Sequence, residues 1–249
     1  MCLIVVGWQV HSDYPLLVAA NRDEFYARPT ALAGYWPDAP EIIAGRDLEA
    51  GGTWLGITRG GRFAAVTNVR EPGGAPGIHS RGRLTRDFLG GSQGAGEYLG
   101  QLALDDYAGF NLLAGDGKEL WYCSNRGAPP VALARGIYGL SNHLLDSPWP
   151  KLLTARQRFA AALPRVPERD PLFAILADDE IVPDEELPAT GVPLDWERRL
   201  SAIFIRSENY GTRASTVVLQ ATDGAISFEE RSFGPYGQPL QSSLISTGV

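Results

Sequence analysis

Lysine, histidine and cysteine are all scarce in this chain, and each scarcity removes a class of explanation. Lys118 and Lys151 are the only lysines, the net charge is −7, and no run of basic residues occurs. Nucleic-acid binding needs a basic face, so no nucleic-acid partner is expected. Two cysteines, Cys2 and Cys123, are too few for a disulfide framework. Leu120-Trp121-Tyr122-Cys123 reads as a buried, structural setting for the second. The histidines, His11, His79 and His143, lack metal-ligand spacing, and Cys123 has no CxxC partner. No metal and no cofactor are expected on those grounds. No apolar stretch approaches the roughly 20 residues that span a bilayer, which predicts no membrane insertion. The first residues carry no basic segment ahead of an apolar run, which predicts no signal peptide. No glycine-rich phosphate loop follows a strand-like run, so nucleotide binding has no support. A reducing, cytoplasmic compartment fits these features.

What remains is a chain of 249 residues, 44% hydrophobic and 20% charged, able to bury a large core. A single domain spanning residues 1–249 is expected. Residues 3–8 and 16–20 are apolar without alternation, the mark of strands covered on both faces. Further strands are expected at 54–58, 62–68, 110–114, 119–124, 202–205, 215–220 and 225–233. Gly60-Gly61, Asp116-Gly117 and Asp223-Gly224 are hairpin signals. Helical stripes run through Ala95, Tyr98, Leu99 and Leu102, and through Leu152, Phe159 and Leu163 behind Pro150. Leu84 and Phe88 suggest a shorter helix. Residues 164–193 read as a loosely packed excursion with one short helix near 172–176. Antiparallel strands buried on both faces need two stacked sheets with helices outside them. The fold class is therefore α+β, a four-layer α-β-β-α sandwich of two antiparallel sheets.

Cys2 stands at the start of the first apolar run. Removal of Met1 would leave one residue carrying both a thiol nucleophile and an α-amine able to act as its base. Around it, polar residues cluster at strand ends. Asn21-Arg22-Asp23-Glu24 follows the second run, and a hairpin would set Arg22 and Asp23 beside Cys2. A guanidinium there favours the thiolate, and a carboxylate orients the amine. Asn68 and Asn142 end further strands and offer amide donors for an oxyanion, worth ~3–4 kcal/mol in a favourable case. Arg213, just before residues 215–220, suits a substrate carboxylate or the thiolate. His143 adjoins Asn142 and suits substrate contact.

Several motifs join these residues: Gly45-Arg46-Asp47, Gly51-Gly52-Thr53-Trp54-Leu55-Gly56, Thr67-Asn68, Ser80-Arg81-Gly82, Gly139-Leu140-Ser141-Asn142 and Tyr210-Gly211-Thr212-Arg213. With Met1-Cys2 and Asn21-Arg22-Asp23-Glu24 they resemble the NRDE family, related to the Transport and Golgi organisation protein 2 proteins. The resemblance covers most of the chain. It implies an N-terminal-nucleophile hydrolase fold. More distantly the pattern is similar to the bile-salt hydrolase and penicillin V acylase group. By that similarity Cys2 is the nucleophile, Asp23 holds its amine, and Arg22 and Arg213 tune the thiolate. Asn68 and Asn142 then face the oxyanion. Asn21, Glu24 and His143 are assigned to substrate binding, although the hydrolase mechanism leaves Glu24 without a defined task.

Two functional readings follow. The first is a cysteine hydrolase that cleaves an amide or thioester of a small acyl compound through an acyl-Cys2 intermediate. The second is a non-catalytic ligand-binding or trafficking protein on the same fold, with haem or acyl-coenzyme A as the partners implied by the resemblance. Met1, Cys2, His79 and His143 are haem-ligand types, but no motif selects one. A glutamine amidotransferase reading is weaker, because Cys2-Leu3-Ile4 stands where those domains usually have Cys-Gly-Ile.

Overall fold

In a computed structural model that describes residues 2–248, the two N-terminal apolar runs are strands sandwiched between layers. Met1 lies outside the described residues, and with it the question of its removal. In β2 (Leu16–Phe25), Leu16, Val18 and Ala20 face one apolar cluster while Leu17 and Ala19 face another. Alternate residues of a strand point to opposite faces, so two buried faces demand an unbroken apolar sequence.

The first sheet has the order β10 (Gly136–Leu140), β1 (Cys2–Trp8), β2, β11 (Tyr210–Gln220), β12 (Ile226–Phe233) and β13 (Pro239–Thr247). The second follows chain order: β3 (Thr30–Trp36), β4 (Ala39–Asp47), β5 (Leu55–Thr58) and β6 (Phe63–Asn68), then β7 (Phe110–Gly115), β8 (Leu120–Ser124) and β9 (Val131–Ala132). Neighbours in both sheets pair antiparallel, as in β1–β2 and β6–β7. The three expected hairpins join β5–β6, β7–β8 and β11–β12, with Gly61, Gly117 and Gly224 at positive φ.

Between the sheets Ile4, Val6, Val18 and Val218 meet Ile43, Ile57, Phe63 and Leu113. Outside the first sheet, α3 (Pro150–Ala162) and α4 (Asp170–Leu176) pack on Leu3, Val5, Leu17 and Ala19. Pro150 opens α3, whose Leu152, Ala155, Phe159 and Ala162 form the buried stripe. Outside the second sheet, α1 (Gly82–Gly90) and α2 (Ala95–Gly100) cover Ala64, Val66 and Leu112. The layering is the expected α-β-β-α. Among the described residues no helix is long and apolar enough to cross a membrane.

Two local expectations differ from the structure. Residues 202–205 are buried but not a strand; they follow α5 (Leu194–Ser201) and bond to loops and side chains instead of a ladder. Phe204 N–H donates to Asp178 O at 2.6 Å, and Ile203 O accepts from Asn21 Nδ2 at 2.9 Å. Residues 164–193 are not loosely packed throughout, because α4 inserts Leu172, Phe173, Ile175 and Leu176 into the core over the first sheet.

Candidate active site

The antiparallel register of β1 and β2 sets Cys2 directly opposite Arg22. Both face the second sheet, as Ile4 and Ala20 do. Alternation sends Asn21 and Asp23 toward the helical layer. The end of β6 approaches from the other sheet and brings Asn68. Cys2, Arg22, Asp23, Glu24 and Asn68 line one cleft of about 340 Å³, together with Thr53, Trp54 and Arg81.

Arg22 is 5% exposed and fixed on several sides. Its Nη1 donates to Thr30 Oγ1 at 3.2 Å, its Nη2 is 3.8 Å from Asp47 Oδ2, and its guanidinium lies 4.3 Å over the Trp54 ring. Gly45 makes that stack feasible, since a Cβ there would come within 2.3 Å of the indole. Asp47 also accepts from Arg28 Nε at 2.7 Å and from the Glu49 and Ala50 N–H groups. Burial raises its carboxyl, but these donors more than offset that and hold it below its ordinary value.

Burial pushes the Cys2 thiol above its ordinary value; Asp23 adds to this and Arg22 opposes it. Burial also pushes the Asp23 carboxyl up, against the pull of Lys151, the Thr212 hydroxyl and Arg22. Thr212 Oγ1 donates to Asp23 Oδ1 at 2.7 Å. Lys151 is fully within the fold, its Nζ donating to Leu200 O at 2.8 Å, and burial lowers its pKa to about 8. It stands behind Asp23 as a second cation that the sequence did not reveal.

The remaining expected residues sit outside the cleft lining. Asn21 is buried under the helices, its Nδ2 donating to Leu176 O at 2.8 Å and Ile203 O at 2.9 Å while its Oδ1 accepts from Ser215 Oγ. That ties the first sheet to the end of α4 and the segment after α5 and leaves no group for a substrate. Asn142 is fully buried, and its Nδ2 donates to the carbonyl and side-chain oxygens of Asn68. Ser141 Oγ next to it donates to Cys2 O at 3.0 Å. His143 is exposed, with its Nδ1 2.7 Å from Ser147 Oγ.

Arg213 occupies a bulge in β11, between Thr212 opposite Asp23 and Ala214 opposite Arg22. A bulge re-aims the extra residue. Here Nη1 donates to the carbonyls of Phe25, Tyr26 and Arg28 at 3.1, 2.9 and 2.6 Å. Arg213 therefore clamps the turn after β2 rather than entering the cleft.

Asp47, Trp54, Arg81 and Thr212 belong to motifs visible in the sequence, but nothing there showed that the first three line the cleft with Cys2 or that Thr212 bonds Asp23. Lys151 carried no signal beyond its rarity. Among the described residues no group of three or more His, Cys, Asp or Glu side chains could hold a metal. The arrangement offers a nucleophile, two flanking cations, a buried carboxylate and an amide across the gap.

A family model described as "Transport and Golgi organisation 2" matches residues 1–235. The chain is 41% identical over 258 residues to the Transport and Golgi organization protein 2 homolog of Bos taurus, covering 93% of each. It is 38% identical over 256 residues to the Homo sapiens homolog, again covering 93% of each. Among solved structures, the Caenorhabditis elegans N-acylethanolamine-hydrolyzing acid amidase ortholog superposes with a TM-score of 0.52 at 13% identity, covering 88% of this chain and 92% of that one. That likeness bears on the fold, which is of the N-terminal-nucleophile hydrolase type.

Proposed function

The chain belongs to the Transport and Golgi organisation 2 family, and from that premise we propose that it is an N-terminal-cysteine hydrolase of small acyl amides or thioesters. The observation that carries this reading is the cross-strand pair Cys2–Arg22 at a cleft shared with Asp23 and Asn68. Once Met1 is removed, the α-amine of Cys2 takes the thiol proton, and Asp23 holds the resulting ammonium. The thiolate attacks the acyl carbonyl. The new oxyanion takes a hydrogen bond from the Asn68 amide. Collapse breaks the C–N or C–S bond, and the leaving amine or thiol carries off the proton from the ammonium. Water, losing its proton to the same amine, then attacks the acyl-Cys2 carbonyl; the acid departs and the thiol is restored. Arg22 offsets the burial that disfavours the thiolate.

The test is an intact mass of the purified protein before and after p-nitrophenyl esters, acyl-thioesters and acyl-amides. A mass lacking methionine plus an acyl adduct absent in Cys2→Ala is the expected result. A retained methionine with no adduct from any probe overturns the mechanism.

One observation favours a second reading, a ligand-binding or trafficking protein without turnover. Burial raises the Cys2 thiol, the opposite of what activates a nucleophile. Under this reading acyl-coenzyme A or haem binds equally well to the parent and to Cys2→Ala, and no adduct forms.

A further inference from the structure

Beyond Asn68 the cleft opens into a second recess of about 400 Å³. Asn68, Pro76, Arg81 and Ala108 line both spaces, so the two adjoin along that wall. The recess is otherwise bounded by Val69, Arg70, Val192 and the Pro- and Gly-rich stretch 71–76. Its charges are nearly all spent. Arg70 pairs with Glu197 at 2.7 Å through Nη1, its buried Nε and Nη2 making no hydrogen bond and its guanidinium lying 4.7 Å over the Trp149 ring, while Glu71 accepts from Arg126 Nε and Nη2 and from the Gly109 N–H.

Arg81 is the exception. Among the described residues no carboxylate lies in ion-pair range of its guanidinium, whose Nη1 donates to the Gly109 carbonyl at 3.1 Å. The other cleft arginines, Arg22 and Arg28, share Asp47. Burial lowers the Arg81 pKa, and Cys2, Glu24 and Glu71 only partly offset it. Glu24 lines the cleft but not the recess, and its Oε1 already accepts from the Phe25 N–H at 2.8 Å. A half-buried guanidinium with spare forked donors suits a carboxylate or phosphate.

We infer that the recess is a substrate subsite for an anionic group, with Arg81 as its specificity residue, so that the acyl compound carries a carboxylate or phosphate a short distance from the carbonyl that meets Cys2. This rests on the hydrolase reading for the position of the carbonyl only. The anion belongs either to the acyl half or to the leaving half.

The experiment uses three thioesters on the full chain. Valeryl-N-acetylcysteamine is neutral, glutaryl-N-acetylcysteamine puts a carboxylate on the acyl half, and valeryl-3-mercaptopropionate puts it on the leaving half. Acylation is read by intact mass, and binding is read by calorimetry on Cys2→Ala, which cannot react. At least one anionic probe is expected to be preferred over the neutral one by about tenfold or more, and which one identifies the half. Arg81→Gln should abolish that preference by weakening the anionic probe alone, with Arg81→Lys restoring part of it. Ala75→Trp, on the exposed rim of the recess, should weaken the same probe without touching Arg81. Equal handling of charged and neutral probes, an equal loss for both in Arg81→Gln, or no saturable binding of either anionic probe to Cys2→Ala overturns the subsite. Failure of acylation together with preserved anionic preference in Cys2→Ala overturns the hydrolase reading and leaves the subsite standing.

Discussion

Asn142 donates to Asn68 through a single amide nitrogen, at 3.1 Å to its backbone carbonyl and 3.0 Å to its side-chain Oδ1. Two asparagines expected to act side by side are thus arranged in series. Because Oδ1 of Asn68 is the accepting end, its Nδ2, which donates once to Val69 O at 3.4 Å, keeps a second N–H for the cleft. Asn142 in turn is oriented by Ser141 Oγ, which lies 3.2 Å from its Oδ1.

A series arrangement predicts non-additive losses. Asn68→Ala should slow acylation of Cys2 by about 100-fold or more, the usual cost of losing an oxyanion donor. Asn142→Ala should slow it by about tenfold through misplacement of Asn68, with substrate affinity unchanged. The double variant should match Asn68→Ala alone. Multiplying losses in single-turnover acylation would show two independent donors instead.

The two cysteines should separate cleanly by reactivity. Cys123 is 1% exposed in the second sheet's outer core, and burial pushes its thiol up to about 11. Cys2 opens on the cleft beside Arg22. In the native protein at mildly alkaline pH, iodoacetamide should add once, at Cys2, and not at all to Cys2→Ala. Arg22→Gln should slow that addition by about tenfold, because the cation that opposes the upward push of burial on the thiol is lost. Peptide mapping that finds Cys123 modified first would contradict this assignment.

Glu230 gives a pH signature of stability. It is 2% exposed between the sheets, its Oε1 accepting from Ala33 N–H at 2.8 Å and its Oε2 from Thr216 Oγ1 at 3.3 Å. Burial pushes its carboxyl up to about 7. The folded state therefore binds this proton more tightly than the unfolded chain, where a Glu titrates near about 4.3. Its stabilisation is complete below that lower value and is lost as pH rises through about 7. Glu230→Gln keeps an acceptor for Ala33 and cannot ionise. Against the parent it should be near neutral at about pH 4 and more stable by roughly 3 kcal/mol at about pH 8. Urea midpoints at both values check this, and a constant difference would refute it.

Arg213 should matter to the fold more than to the thiol. Its three carbonyl contacts hold the turn after β2. Arg213→Gln should cost about 2 kcal/mol in denaturant unfolding, in the range for bonds to a charged donor. Cys2 alkylation in that variant should stay within about twofold of the parent. A large loss of alkylation at unchanged stability would return Arg213 to the thiolate.

The layers were legible because burial on both faces leaves its mark in continuous apolar runs such as Leu16–Leu17–Val18–Ala19–Ala20. The hairpins were legible because Gly61, Gly117 and Gly224 adopt a backbone that other residues avoid. Strands β3, β4, β9, β10 and β13 were missed, and all of them but β4 are sheet edges. Their outward residues, from Glu41 to Gln241 and Leu244, are half-buried or exposed, so the sequence mixes polar and apolar residues without a clear period. At the site, adjacency through a hairpin was readable, and Cys2 does face Arg22. Orientation was not. Whether Asn21 or Arg22 faces the cleft depends on strand parity, and Arg213 is turned by one bulged residue that no composition reveals.

The register that sets Cys2 beside Arg22 also fixes an order of events on the ribosome. β1 lies between β2 and β10, so its far edge stays open until residues 136–140 have been made. The β11 face of β2, with Thr212 against Asp23, arrives only near the end of synthesis. An aminopeptidase acting on the nascent chain would meet β1 before β10 and β11 exist to complete the sheet around it. One acting on the finished protein would meet β1 paired with β2 from Cys2 and with β10 from Ile4, and Cys2 9% exposed. On the hydrolase reading proposed above, trimming that frees the Cys2 amine therefore competes with translation of the strands that enclose it.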